Sequence, residues 1–238
     1  MGLAARKDAK VYCTFCKKKV IHNPDFLGIG THVGNGEALG NAIMKSKYGN
    51  KPIREHPLSM PKGRGYCAQA HHLICSESMD NRDWARICKN FGYNINHKRN
   101  GIILPADMKV ACQEKVPLHK GNHEDTLTHI KRVNYVQAVK RKIDPILDDA
   151  KQQEYCKKQK DIIARLNKTS KSIWLKLESF KWTITYDGKH YSPGSRKGCL
   201  NARGLTRKRK IEARQKKCKD DRDHQININV KGKYFKEQ

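Results

Sequence analysis

Four histidines carry the chemistry that this sequence offers. Two stand side by side in QAHHLI, as His71 and His72, and two more, His119 and His123, lie four apart in VPLHKGNH. On a helix, residues i and i+4 share a face, so His119 and His123 can both reach one ion. Gly121 between them places the pair at a loop–helix junction. Two ligands do not make a catalytic centre, and the His71–His72 pair is the obvious source of a third. Neighbours on a strand point to opposite faces, so these two should do different work unless a turn re-aims them. One can bind metal while the other faces a substrate. Cutting a phosphodiester needs an activated water, charge stabilisation at the phosphate and a way to release the leaving oxygen. A divalent ion supplies the last two. A neutral imidazole, which titrates near working pH, supplies the first.

The elements that must position these residues follow from pattern. Residues 66–76, YCAQAHHLICS, suit a strand ending in a turn. SMDNRDWARICKNFGY has capping residues, then Trp84, Ile87, Cys88 and Phe91 at helical spacing, then Gly92 as a stop. NGIILP, residues 100–105, is a short buried strand or loop ended by Pro105. From Asn122 to Lys142 the pattern is helical, with an apolar stripe of Leu127, Ile130, Val133, Val136 and Val139. Pro145 should break or restart it. A second helix is expected over residues 146–179, with Ile162, Ile163, Leu166, Ile173, Trp174 and Leu177 on its core side. KWTITYDGKHY then alternates like a hairpin around Asp187-Gly188. Three segments result: a loop-rich stretch over 1–65, a central unit over 66–142 that holds the four histidines, and a basic helical and hairpin region over 143–238. In the first, GIGTHVGNG lacks the spacing of a phosphate loop and reads as an ordinary loop.

Charge points to the partner. The 238 residues include 50 Lys+Arg against 23 Asp+Glu, a net +27. That excess fits a polyanion: DNA, RNA or an acidic protein. Residues 151–238 hold 25 Lys+Arg and 9 Asp+Glu, so most of the excess lies late in the chain. Within it, Arg207, Lys208, Arg209 and Lys210 form either a nucleic-acid contact or a solvated helix face. Only 37% of residues are hydrophobic, so the core must be compact. Of nine cysteines, Cys13 and Cys16 alone sit at tight metal-type spacing. They are half of a structural zinc knuckle, to be completed by His22, His56, Cys67 or another distant ligand, or else two reduced thiols in a turn. Cys88 and Cys112 read as core residues. The start MGLAARKDAKVYC has no apolar signal core, Arg6 spoils a myristoylation signal, and no run approaches membrane-spanning length. A reducing cytosol and no membrane partner are therefore expected. HExxH, zinc-deaminase and EF-hand patterns are absent from the sequence.

The histidines gain meaning from their order. HH ends a strand in QAHHLI, Asn-Gly precedes a short strand in NGIILP, and HxxxH opens a helix in VPLHKGNH. That strand–strand–helix order, over about residues 63–142, resembles the AHH branch of the HNH/endonuclease VII superfamily, common among bacterial polymorphic toxins and type VI secretion effectors. The resemblance implies an α+β fold: a ββα-metal finger, here at 66–142, with added helices and a small basic C-terminal region containing β-structure. It implies His71 as a metal ligand, His72 as general base, Asn100 as the residue that pins the loop between the strands, and His119 and His123 as the remaining ligands. His97 is a substitute for Asn100. Colicin-type HNH nucleases have a similar HH pair and HxxxH. Endonuclease VII-like members carry a carboxylate where His71 stands, and three imidazoles favour zinc, nickel or manganese over magnesium.

The cofactors expected are one divalent ion (zinc, magnesium, manganese or nickel) and a second, structural zinc at Cys13 and Cys16. The expected function is a metal-dependent endonuclease toxin of low sequence specificity. It would act on DNA, or alternatively RNA, as an antibacterial type VI effector. Its partners would be an acidic immunity protein and components of the secretion apparatus. It would reside in the producer's cytoplasm, leave without a signal peptide and act in the target cell's cytoplasm. Two other readings compete: a non-catalytic, zinc-containing nucleic-acid-binding protein, and a phage or restriction-type HNH endonuclease with a defined site. His72 separates catalyst from binder, because a structural zinc is full at four ligands and needs no base beside it.

Overall fold

The computed structural model describes residues 13, 15–17, 30–59, 68–106, 111, 116–119, 135–152, 154–157, 159–179, 181, 182 and 184. Several expected features lie outside these residues: His22, Cys67, Cys112, His123, the 122–134 part of the helical stripe, the Asp187-Gly188 hairpin and the Arg207–Lys210 run.

Two strands, β1 (Ala68–His72) and β2 (Gly101–Pro105), pair antiparallel, from Ala68 opposite Pro105 to His72 opposite Gly101. Among the described residues they are the whole sheet. Between them runs helix α2 (Arg82–Phe91). It starts where the Asn81 side chain accepts the Trp84 N–H and stops at Gly92, whose φ of 74° is the left-handed conformation that ends a helix cheaply only in glycine. Trp84, Ile87, Cys88 and Phe91 are buried, as their spacing requires.

Helix α1 (Gly36–Lys47) was not legible in the loop-rich reading of residues 1–65, and it corrects that reading. Asn35 caps it by accepting the Ala38 N–H, and Leu39, Ile43 and Met44 pack on Ile103. The approach is close: a Cβ on Gly101 would lie 2.5 Å from Leu39 Cδ1. Alternation along β2 then fixes the layers. Gly101 and Ile103 face α1, while Ile102 and Leu104 enter the main core.

The opposite layer is helical. Helix α3 (Tyr135–Lys151) continues through Pro145 and does not break there. Pro145 and Arg141, whose carbonyl loses its helical donor, both lie on the exposed side, where water can replace the bond. Ile143, Ile146, Leu147 and Ala150 anchor the buried side across the proline. A single turn, α4 (Glu154–Lys157), and the long α5 (Gln159–Glu178) follow, in place of one helix over 146–179. Ile162, Leu166, Ile173 and Leu177 are buried as expected, with Ile163 and Trp174 partly so. One apolar cluster runs from Leu58 through α2, α3 and α5 to Ile184. The expected division at 142/143 thus falls inside α3, with the same core on both sides. The class is α+β, a two-stranded antiparallel sheet with helices around it. No described helix is long and apolar enough to cross a membrane.

Candidate active site

The end of β1 divides its two histidines between the two faces. His71 points into the helical layer and is 1% exposed. Its Nε2 lies 3.0 Å from the Tyr135 hydroxyl, and that hydroxyl donates its one proton to the Leu73 carbonyl at 2.7 Å. A tyrosine hydroxyl with its proton committed can only accept from the ring. His71 therefore carries its proton on Nε2, and Nδ1 holds the lone pair a metal requires.

His119 comes to the same face. Its backbone N–H donates to the Pro105 carbonyl at 2.9 Å, which ties it to the end of β2. Its Nδ1 lies 2.9 Å from Gln69 Oε1, and Gln69 shares a strand face with His71. The His71 and His119 rings stand 4.9 Å apart between centroids. Two of the three expected ligands are thus side by side from distant stretches of chain. His123 lies outside the described residues.

His72 faces the α1 side. Its Nε2 is 2.8 Å from Asn96 Oδ1. The Asn96 amide has one orientation, because Oδ1 also accepts the Asn35 N–H at 2.7 Å while Nδ2 donates to the Val33 carbonyl at 3.1 Å. His72 must then donate from Nε2, leaving Nδ1 as its basic atom. Burial lowers its pKa from the ordinary histidine value, against smaller upward pulls from the Asn96 hydrogen bond and the Glu77 carboxylate. A ring neutral at working pH can take up a proton, and Asn96 and Glu77 then favour the charged form.

Asn100 is fully buried. Its Oδ1 accepts the Ile74 N–H and the Ser170 hydroxyl, each at 2.8 Å, and its Nδ2 donates to the Ile74 and Ile95 carbonyls, each at 2.9 Å. This side chain pins the loop after β1 to the turn before β2 and to α5. His97 plays a different part. Its Nδ1 accepts the Arg99 N–H at 3.2 Å and caps the turn that leads into Asn100. His56, one of the ligands considered for the knuckle, is instead a core histidine that accepts the Leu58 N–H at 3.1 Å.

Sequence reasoning missed Gln69, Asn96 and Tyr135, the partners of the three histidines. Gln69 was within reach, since it is two residues from His71 on the same strand. The other two are 24 and 64 positions from the rings they hold, and no local pattern marks them.

Residues 58–173 match the model of AHH, a nuclease family of the HNH/ENDO VII superfamily with conserved AHH. Ala70, His71 and His72 are that triplet in this chain. The match runs through α3 and most of α5, which fits the bond from Ser170 to Asn100. No curated protein and no solved structure matches the chain. Over residues 58–173, just under half of its length, the chain thus matches the AHH nuclease family of the HNH/ENDO VII superfamily.

Proposed function

We propose that this protein is a metal-dependent endonuclease, with His72 as general base and His71, His119 and His123 as ligands of one divalent ion. The observation that carries the reading is the pair of fixed tautomers. Tyr135 leaves His71 with a lone pair on Nδ1, and Asn96 does the same for His72 on the other face. Neighbouring histidines with separate, enforced proton positions suit one ligand and one base. In the reaction, His72 Nδ1 takes a proton from water as its oxygen attacks phosphorus, and the Nε2–H bond to Asn96 holds the ring in line. His71, His119 and His123 would hold the ion, which when bound would supply charge stabilisation to the phosphate and to the oxygen that leaves as its bond to phosphorus breaks. Asn100 keeps the loop after β1 in place throughout.

DNA is the proposed substrate. The net +27 favours a polyanion without selecting a sequence. A cleft of about 440 Å³, lined by Arg99, Asn167, Lys168, Lys171 and Trp174, offers cations for phosphates and a ring for a base. The Arg207–Lys210 run adds sequence-independent affinity. Low specificity and high charge suit an antibacterial toxin, delivered as a type VI effector to a target-cell cytoplasm and held in check at home by an acidic immunity protein. The test is incubation of purified protein with supercoiled plasmid and with total RNA, with and without chelator, beside expression in a naive host. Chelator-sensitive plasmid nicking and toxicity are expected. Intact plasmid together with intact RNA in every metal tried would refute the nuclease reading. RNA degradation alone would refute the DNA assignment, and a harmless but active protein would refute the toxin assignment.

A further inference from the structure

Three cysteines meet away from the histidines. Cys13 and Cys16 come from the N-terminal turn and Cys156 from α4, and all three are free thiols. Their sulfurs lie within 4.8 Å of one another, with Cys13 Sγ 3.9 Å from Cys156 Sγ across 143 positions of sequence. A disulfide needs about 2.05 Å between sulfurs. Tetrahedral zinc, with bonds of about 2.3 Å, holds its sulfurs roughly 3.8 Å apart. The cluster therefore sits at ligand spacing and not at bonding spacing. Cys13 is buried, and Cys16 and Cys156 are half-buried.

The backbone gives a second, independent sign. The Lys17 N–H donates to the Cys13 carbonyl at 2.9 Å, which curls the Cys-x-x-Cys stretch into a turn with both thiols in the cluster. Closing that turn puts Lys17 at φ 58°, the left-handed region that a lysine adopts only where its surroundings impose it. On the other side, Cys156 lies in the interruption between α3 and α5, where a single turn replaces continuous helix.

We propose that Cys13, Cys16 and Cys156 bind one zinc ion as thiolates, clipping the N-terminal turn to the helical layer behind the finger. Sulfur donors select zinc over magnesium or manganese, so this site and the imidazole site differ in preferred ion. Binding exchanges the thiol protons for the ion, releases them to solvent and moves no electrons. No further histidine, cysteine or carboxylate among the described residues joins the three, so the fourth position falls to another residue or to water. The inference does not depend on the nuclease reading, since none of the four motif histidines takes part.

The test uses the full chain, purified under reducing conditions and loaded with cobalt. Thiolate-to-cobalt charge transfer absorbs in the near ultraviolet, and imidazole ligands cannot produce it. Wild type and His119→Ala should both show the band, and Cys156→Ser should lose most of it. Zinc-loaded wild type should also expose fewer reactive thiols than chelator-treated protein, by three. A cobalt-loaded wild type without the band, or a band kept at full strength by Cys156→Ser, would overturn the proposal. If Cys156→Ser does not fold, the wild-type thiol count decides, and equal counts with and without chelator refute the site. A zinc-free chain with Cys13 linked to Cys16 or Cys156 in its peptide map would also overturn it, in favour of a redox pair.

Discussion

Replacing Tyr135 by phenylalanine separates two roles of one hydroxyl. The ring would keep its edge contact with Trp182, 6.0 Å away between centroids, and only the oxygen would go. Two buried groups then lose that partner: the His71 Nε2–H at 3.0 Å and the Leu73 carbonyl at 2.7 Å. At about 1–3 kcal/mol for each buried group that loses its partner, the fold should lose about 2–6 kcal/mol. The second effect concerns the metal. Without the hydroxyl, His71 is no longer held with its proton on Nε2, and its ring can present a protonated nitrogen to the ion. Loss of such a partner typically costs about 10–100-fold in metal affinity. Urea denaturation measures the first effect. Competition against a chromophoric chelator measures the second, with manganese as the ion because thiolates bind it weakly. A folded Tyr135→Phe protein with wild-type manganese affinity would refute the tautomer argument and leave the hydroxyl as a structural strut.

Other outcomes follow from the same geometry. Asn96→Ala should lower cleavage about 10–100-fold at unchanged metal content, and Asn96→Asp, which keeps an acceptor for His72, should recover much of it. Burial holds the His56 pKa at about 4 against 6.5, so the folded ring stays neutral while the unfolded ring gains a proton. Stability is then full above pH 6.5 and falls by up to about 3 kcal/mol as the pH drops to 4, measurable as denaturation midpoints that His56→Leu should render less pH-dependent. Reversing the charges of Arg207, Lys208, Arg209 and Lys210 should flatten the dependence of DNA affinity on log salt by up to about 4, at about 0.9 for each phosphate no longer neutralised. An unchanged slope in a folded variant would make the run a solvated face.

What the sequence made legible was local. β1, β2 and α2 announce themselves through short apolar runs, a capping asparagine and a stop glycine, each acting within a few residues. The order of HH, Asn-Gly and HxxxH was readable for the same reason. Helix α1 was hidden because glycine usually marks a loop. Here Gly40 and Gly101 serve packing: a Cβ on Gly40 would meet Ile53 Cδ1 at 3.3 Å, and Gly101 admits Leu39. Pro145 misled in the opposite direction, since its cost is small where water can reach the freed carbonyl. Tyr135, Asn96 and Cys156 act through contacts made only after folding. Their identity as partners is a property of the three-dimensional arrangement, and no periodicity encodes it.

The central claim is that His72 moves the proton while its neighbour His71 binds the ion. The most direct test is the single-turnover rate of plasmid nicking by His72→Ala, with manganese content measured on the same sample. Loss of a general base should lower the rate about 10²–10⁴-fold while the ion stays bound at the wild-type ratio. Full activity with the ion in place would contradict the assignment of the base, and loss of the ion would place His72 among the ligands.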